Sequence, residues 1–220
     1  MGQAGGLLGT CLNLPTTLRE MVTLVIPEFA DTCELFLAEE PCPAGTKPDP
    51  LVLRPTLWEH SADLPRPPAG LRLPPSGADV DLTGSQTGRA FLARRPIRID
   101  RDERQLHSET RGLAALYRHF GIRSAIIAPL LAGRNCLGCA GFGVTAARPY
   151  DEPDVHTAME LGSRIAAAIA NARTFDYQRA AALTLQRALL PKDIPEMPNL
   201  RPGLALSAGH VRRRGRRRLV

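Results

Sequence analysis

The sequence has no long hydrophobic run, and this absence sets the first limit on its function. A membrane-spanning helix needs about 20 consecutive apolar residues, and the apolar stretches of this 220-residue chain are far shorter. Residues 1–14 also lack the basic start of a secretory signal, and the five cysteines are an odd number. We therefore expect a cytoplasmic protein with reduced thiols and no membrane partner.

Lysine is almost absent, although the chain is basic. Lys47 and Lys192 are the only lysines, and arginine supplies the rest of the 28 basic residues. Six arginines near the C-terminus equal the whole formal net charge of +6: Arg212, Arg213, Arg214, Arg216, Arg217 and Arg218. The other 22 basic residues balance the 22 acidic residues. The excess of positive charge is therefore confined to this arginine tail.

The arginine tail allows two interpretations. Clustered arginines bind phosphates in a salt-dependent, sequence-blind way, so an interaction protein for nucleic acid or acidic surfaces is the alternative function. However, the tail has no interleaved aromatic residue and no recognition fold, which makes nucleic acid an unfavoured partner. The other interpretation is that residues from about Ala208 onward come from a shifted reading frame or a truncated gene, because GC-rich DNA read out of frame often encodes arginine.

Motifs for catalysis or metal binding are also missing. The chain has no Gly-x-Ser-x-Gly elbow, no Gly-Lys-Ser/Thr phosphate loop and no two histidines at metal-ligand spacing. Cys136 and Cys139 could form half of a zinc site, but residues three apart in a regular strand point to opposite faces. We expect one sulfur in the core and the other on the opposite side. The sequence therefore predicts no enzyme activity, no catalytic residue, no metal and no cofactor.

The pattern of apolar and polar residues predicts an α+β domain with an antiparallel sheet flanked by helices. Four helices are predicted. The first begins at a capping box at Thr17 and ends by Pro27, and the second is short and runs through Ala90 and Leu92. The third covers 102–120 and ends at a Gly121 cap, and the fourth runs from Asp151 to Leu190. Strands are predicted over 31–37, 51–60, 97–99, 124–130 and 136–144. The last two strands form a hairpin around Gly133, and Pro55 indicates an edge or a bulge in the second.

The last predicted helix is too long for a domain of this size to cover. About 36 residues at ~1.5 Å each span ~54 Å. Its apolar positions are Ile165, Ile169, Ala172, Leu185 and Leu189. The half from Phe175 onward should seek a partner helix, so we expect a coiled coil that joins two copies of the chain.

This order of elements, with GIRSAIIAPLLAGRNCLGCAGFGV at 121–144, resembles the GAF domain, a small-molecule-sensing α/β module. The resemblance covers about residues 15–173 and rests mainly on Ser124, the Pro129-Leu130 pair, a glycine turn and Leu137-Gly138. It implies an unknown ligand or protein partner, with a small ligand held between the sheet and the segments that cover it. Aromatic residues of those segments are candidates to line the pocket, and core packing is the alternative for each: Trp58, Phe91, Tyr117 and His119.

A second, shorter resemblance covers residues 179–206. The Leu-Gln-Arg-x-Leu-Leu-Pro pattern from Leu185 to Pro191 is similar to the lead-in to SpoIIE-type serine/threonine protein phosphatases, which often follow GAF domains in actinobacterial signalling proteins. In that family a Gly-Gly-Asp stretch follows, whose aspartate holds manganese or magnesium. This chain departs from the pattern after Leu206, so the resemblance does not extend to phosphatase activity.

These resemblances predict four parts. They are a flexible N-terminus (1–14), a GAF sensory domain (15–173), a signalling helix (174–191), and the remnant of a phosphatase start with the arginine tail (192–220). We expect the sensory domain to bind a ligand or partner and to regulate an attached or separate SpoIIE-type phosphatase.

Overall fold

A computed structural model of the chain describes residues 14–68, 70–71, 78–100, 111–145 and 149–189. Their helices are α1 (Leu14–Val25), α2 (Gln86–Ala93), α3 (Arg111–Phe120) and α4 (Glu152–Leu189). Their strands are β1 (Thr32–Pro43), β2 (Val52–His60), β3 (Val80–Asp81), β4 (Ile97–Asp100), β5 (Ser124–Ala132) and β6 (Asn135–Val144). The chain divides into two compact units, residues 1–180 and 181–220. The sheet belongs to the first unit.

The strands form one antiparallel sheet in the order β3-β2-β1-β6-β5-β4. This confirms the predicted α+β fold with a long C-terminal helix. The predicted hairpin is β5–β6, and its turn contains Gly133 with φ +57°. β1 and β6 are the central strands, so residues of β1 contact both neighbours and both faces of the sheet.

Each face of the sheet buries its own apolar cluster. The first core packs one face against α1 and α4, and it includes Leu18, Val22, Leu35, Phe142 and Ile165. The second core packs the other face against α2 and α3, and it includes Phe36, Leu53, Phe91, Leu116 and Tyr117. Each such large side chain contributes about 1.5–3 kcal/mol when it leaves water. The alternation of apolar residues along β1 therefore stabilises both layers at once.

The helix ends follow from local sequence, with one correction. α1 begins at Leu14 rather than at the predicted Thr17, because Pro15 fits the first turn, where its missing N–H has no intrahelical partner. The Gly121 cap of α3 is confirmed. Gly121 has φ +68°, its N–H donates to Arg118 O at 3.2 Å, and the Ile122 N–H donates to Tyr117 O at 2.9 Å. Residues 102–110 of the predicted helix lie outside the described part.

Two aspartates fix the start of α4. The Asp151 N–H donates to Asp154 Oδ2 at 2.8 Å, and the Asp154 N–H donates to Asp151 Oδ1 at 3.1 Å. This reciprocal pair satisfies two backbone donors and places negative charge at the positive end of the helix dipole. The predicted start of the exit helix is confirmed.

The prediction that Cys136 and Cys139 face opposite sides of the sheet is wrong. Both lie in the second core, and each is 1% exposed. Pro129 and Leu131 are two residues apart on β5, but they pair with Cys139 and Cys136, which are three apart on β6. This extra residue is a β-bulge, which turns the later side chain back to the same face. Gly138, with φ +157°, lies inside the bulge.

Pro55 was predicted to mark an edge or a bulge, and the structure has a bulge next to it. Leu35 pairs with Leu57, whereas the next residue, Phe36, pairs with Pro55. The register therefore shifts by one residue at Thr56. β3 pairs only with Val52 and Leu53, so Pro55 lies beyond that pairing.

Candidate functional site

Two polar side chains of β1, Thr32 and Glu34, lie in the otherwise apolar second-core face. They are 0% and 2% exposed. Their neighbours on β6 are glycines, Gly143 opposite Thr32 and Gly141 opposite Glu34. A Cβ at Gly141 would overlap the Glu34 carboxylate, and one at Gly143 would lie 2.5 Å from Thr32 Oγ1. The glycines therefore make the room that these two polar groups occupy.

The Glu34 carboxylate is held by the covering helix. The Tyr117 hydroxyl on α3 donates a hydrogen bond to Glu34 Oε1. A carboxyl group inside a protein requires such a bond because its transfer out of water is costly. The contact joins α3 to the central strand and fixes the direction of the carboxylate below the helix.

Beside this pair lies a cluster of aromatic rings built around Phe120. Its centroid is 6.0 Å from that of Trp58, 5.2 Å from that of His60 and 5.0 Å from that of His119. Trp58 lies opposite Glu34 in the β1–β2 register, and His60 lies opposite Thr32. The rings of β2 and α3 therefore lie beside Thr32 and Glu34, the two polar residues of β1. We use the name polar-aromatic site for these rings together with the two polar residues and Tyr117. Its members are Thr32, Glu34, Trp58, His60, Tyr117, His119 and Phe120.

Three atoms of the polar-aromatic site are buried and have no hydrogen-bond partner among the described residues. They are Trp58 Nε1, His119 Nε2 and Thr32 Oγ1. The indole N–H can only donate, whereas an imidazole nitrogen can donate or accept according to its tautomer, and a hydroxyl does both. Each unsatisfied group costs about 1–3 kcal/mol. The Trp58 N–H therefore requires an acceptor that the described residues do not supply.

The structure places all four predicted pocket residues on the second-core side of the sheet. Trp58 and His119 share a contact with Phe120, and Tyr117 binds Glu34. Phe91 is 1% exposed and packs within the second core from α2. Their role in ligand binding stays a prediction.

The sequence patterns did not predict four residues of this site: Thr32, Glu34, His60 and Phe120. One signal could have found Glu34, because it is the charged residue between Cys33 and Leu35 in a strand that is apolar on both faces. The Gly-Phe-Gly run at 141–143 is a second signal, because glycine in a strand often marks a close approach of another group.

Arg173 connects the exit helix to β1. Its Nη2 donates to the carbonyl oxygen of Ala38 at 2.6 Å, and Ala38 belongs to the second core. Burial lowers the pKa of Arg173, and the nearby charge of Glu40 acts in the opposite direction. Nη1 is buried and has no hydrogen-bond partner within the described residues. The α4 helix is thus bonded to the strand that carries Thr32 and Glu34.

The predicted residues of the signalling helix divide into two groups. Ile165, Ile169 and Ala172 are at most 9% exposed, so they attach α4 to its own domain and do not form a surface for a partner. Leu185 is 63% exposed. The Leu189 side chain, the phosphatase-like residues after it and the arginine tail (Arg212 to Arg218) lie outside the described residues.

The described residues contain neither a metal-binding cluster nor a membrane-spanning helix. None of their histidine, cysteine, aspartate and glutamate side chains form a group of three or more that could hold a metal ion. None of their helices is both long and apolar enough to cross a membrane.

A protein-family model described as GAF domain matches residues 13–169. The GAF domain of a two-component sensor histidine kinase from Bacillus halodurans has a TM-score of 0.54 at 15% identity, covering 75% of this chain and 99% of that one. The GAF domain of a phosphoenolpyruvate-protein phosphotransferase from Coxiella burnetii has a TM-score of 0.52 at 16% identity. The match covers 75% of this chain and 87% of that one. A GAF domain/HD domain protein from Geobacter sulfurreducens has a TM-score of 0.52 at 9% identity. The match covers 74% of this chain and 96% of that one. No curated protein matches the chain.

Proposed function

Because this chain belongs to the GAF domain family, a family of sensory and signalling modules, we propose that it binds a small ligand at the polar-aromatic site. We further propose that it has no catalytic activity of its own and regulates a SpoIIE-type protein phosphatase, either attached or a separate partner. In this proposal the protein works in the cytoplasm as a homodimer joined through α4.

The observation that carries the ligand proposal is the pair of buried, unpartnered nitrogens, Trp58 Nε1 and His119 Nε2, on rings that both contact Phe120. A buried polar group that lacks a hydrogen bond within the described structure is poorly stabilised. A planar nitrogen heterocycle supplies acceptors and donors in one plane and can pack against the neighbouring rings. Such a ligand would satisfy both nitrogens.

The signal would travel along β1. Thr32 and Glu34 belong to the polar-aromatic site, and Ala38, four residues beyond Glu34, binds Arg173 of α4. A ligand that binds one arrangement of β1 more tightly than another shifts the population toward that arrangement. The Arg173 contact would transmit this shift to α4, and the exposed Leu185 marks the part of α4 that would meet the second copy of the chain.

The ligand proposal can be tested with the protein's own fluorescence, because Trp58 is its only tryptophan. Purine and pyrimidine bases, their nucleosides and nicotinamide would be titrated while Trp58 emission is recorded, and hits would be confirmed by calorimetry. We expect saturable binding that the His119→Ala variant weakens at least tenfold. His156→Ala is the control, because the His156 side chain is 81% exposed on α4. If no compound binds, or if both variants bind equally well, the polar-aromatic site is not the ligand site.

The phosphatase and dimer proposals rest on the Leu185–Pro191 pattern and on exposed Leu185. Resequencing the gene from codon 200 and translating all three frames would look for the missing aspartate motif. Its recovery in another frame would support an origin from a phosphatase regulator, and its absence from every frame would count against it. Sedimentation equilibrium would test the dimer, and a strict monomer at high micromolar concentration would refute it.

A further inference from the structure

Two cysteines face each other across the central strands of the sheet. Cys42 of β1 pairs directly with Cys136 of β6 in the antiparallel register. Residues that lie directly opposite in such a pair place their side chains on the same face. Cys136 is in the second core, and Cys42 packs against that core from its margin. Both are free thiols in the structure.

The backbone sets the distance between them. The Ala44 N–H donates to the Arg134 carbonyl at 2.9 Å, which makes residues 44 and 134 a hydrogen-bonded pair. Cys42 and Cys136 lie two residues along this ladder, so they are a pair of the same type, with a Cα separation of about 5.5 Å. Disulfides join residues whose Cα atoms are roughly 4.4–6.8 Å apart. The backbone therefore holds the two residues at a Cα separation that a disulfide can bridge.

The two thiols differ in access to solvent. Cys136 is 1% exposed, whereas Cys42 is only partly buried. Burial raises the pKa of Cys136, and the positive charge of Arg94 acts in the opposite direction. The charge of Cys42 also raises the pKa of Cys136, as expected for two neighbouring sulfurs. An oxidant from solvent therefore reaches Cys42 first, because Cys136 lies deeper, in the second core.

We propose that Cys42 and Cys136 form a reversible intramolecular disulfide when the protein meets hydrogen peroxide. The pair is a modification site separate from the polar-aromatic site, and it does not depend on the proposed ligand.

The reaction has two steps. The Cys42 thiolate attacks one peroxide oxygen, an S–O bond forms as the O–O bond breaks, and the departing hydroxide takes a proton to become water. The Cys136 sulfur, as thiolate, then attacks the sulfenic sulfur of Cys42. The S–S bond forms, the S–O bond breaks, and the departing hydroxide takes up the proton that the Cys136 thiol released, which gives a second water. The two thiols lose two electrons in total, and the peroxide gains them.

The position of the pair gives the bond a structural effect. Between Leu37 and Cys42 the register of β1 against β6 shifts, and this irregular segment contains Ala38, which binds Arg173 of α4. A disulfide at Cys42 would fix the far end of the segment to β6. Oxidation therefore restrains the part of β1 that contacts the exit helix.

The test is peptide mapping of the full chain after oxidation. Dilute, reduced protein is treated with hydrogen peroxide, remaining thiols are blocked with N-ethylmaleimide, and the digest is analysed by mass spectrometry without reduction. We expect a peptide pair linked through Cys42 and Cys136, with the loss of one hydrogen from each thiol, which dithiothreitol reverses. Cys42→Ser and Cys136→Ala should both abolish the link. Cys33→Ala is the matched control, because Cys33 is fully buried in the first core.

The wild-type map alone decides the proposal, so the result does not require the variants to fold. A Cys136–Cys139 link would overturn it, as would a Cys42 link between two chains on a non-reducing gel. Oxidation of Cys42 to sulfinic acid without any disulfide would overturn it too.

Discussion

Tyr117 of α3 and Glu34 of β1 are 83 residues apart in the sequence and are joined by a hydrogen bond inside the second core. This bond connects the covering helix to the strand at the centre of the sheet. It also keeps a carboxylate in an apolar layer where few other polar groups are buried. The covering helix is therefore attached to the sheet by a polar contact as well as by apolar packing.

Tyr117→Phe removes the donor of this bond and leaves the ring in place. We expect the free energy of unfolding to fall by about 1–3 kcal/mol, because the Glu34 carboxylate loses a buried hydrogen bond. Urea denaturation would measure it. Tyr177→Phe is the control, because Tyr177 is 78% exposed. Equal stability of Tyr117→Phe and the wild type would show that the bond contributes nothing.

The alkaline limit of stability should depend on Tyr150. Its hydroxyl donates to Phe29 O at 2.9 Å, and burial, then the charges of Asp154 and Asp31, raise its pKa. The folded state thus keeps a proton that the unfolded chain releases near pH 10, so this contribution is complete below pH 10 and is lost as the pH rises further. Tyr150→Phe should cost about 0.5–1.5 kcal/mol at neutral pH, and the deficit should shrink above about pH 10. A deficit that stays constant to pH 11 in denaturation experiments would contradict this.

Two glycines should respond to alanine in opposite directions. A Cβ at Gly162 of α4 would meet its nearest neighbour, Ala128 Cβ, at 3.4 Å, which is ordinary contact. Gly162→Ala should therefore stabilise the protein by about 0.5–1 kcal/mol, because alanine loses less backbone freedom in a helix.

Gly138→Ala should instead cost about 1–3 kcal/mol or more. Its Cβ would overlap the Phe36 carbonyl oxygen, and its φ of +157° favours glycine. Thermal denaturation of both variants would check the pair of predictions. A stabilised Gly138→Ala variant would mean that the bulge can rearrange.

Removing the Arg173 side chain should loosen the exit helix from the sheet. In Arg173→Ala the Ala38 carbonyl loses its 2.6 Å bond, and we expect a stability loss of about 1–3 kcal/mol. Amide hydrogen exchange should rise in β1 near Ala38 and in the facing part of α4. Arg179→Ala, at an exposed position of α4, is the control. If exchange is unchanged at both sites, Arg173 does not couple the helix to the strand.

Sequence patterns predicted the elements well and their fine register poorly. The hairpin of β5 and β6 was predictable because an apolar run, a glycine turn and a second apolar run are local signals. The bulge at Leu137–Gly138 was not, because the extra residue is defined only by the partner strands on both sides. The facing of Cys136 and Cys139 was therefore predicted wrongly.

The site was only partly visible for a related reason. Aromatic residues in covering segments pointed to Trp58, Tyr117 and His119. Glu34 became significant only when the sheet placed Gly141 beside it and α3 placed Tyr117 above it. Contacts between residues this distant in sequence depend on the tertiary fold, which no local pattern encodes.

The short β3 and the proline of β2 also bear on how copies of this protein behave at high concentration. β3 leaves most of the outer side of β2 without a neighbour among the described strands, and Pro55 offers no N–H there. Arg54, bonded to Glu39 and Asp79, adds charge at the same margin. Prolines and charges at such positions prevent a foreign strand from extending the sheet. The domain is thus protected against strand-by-strand aggregation along this margin.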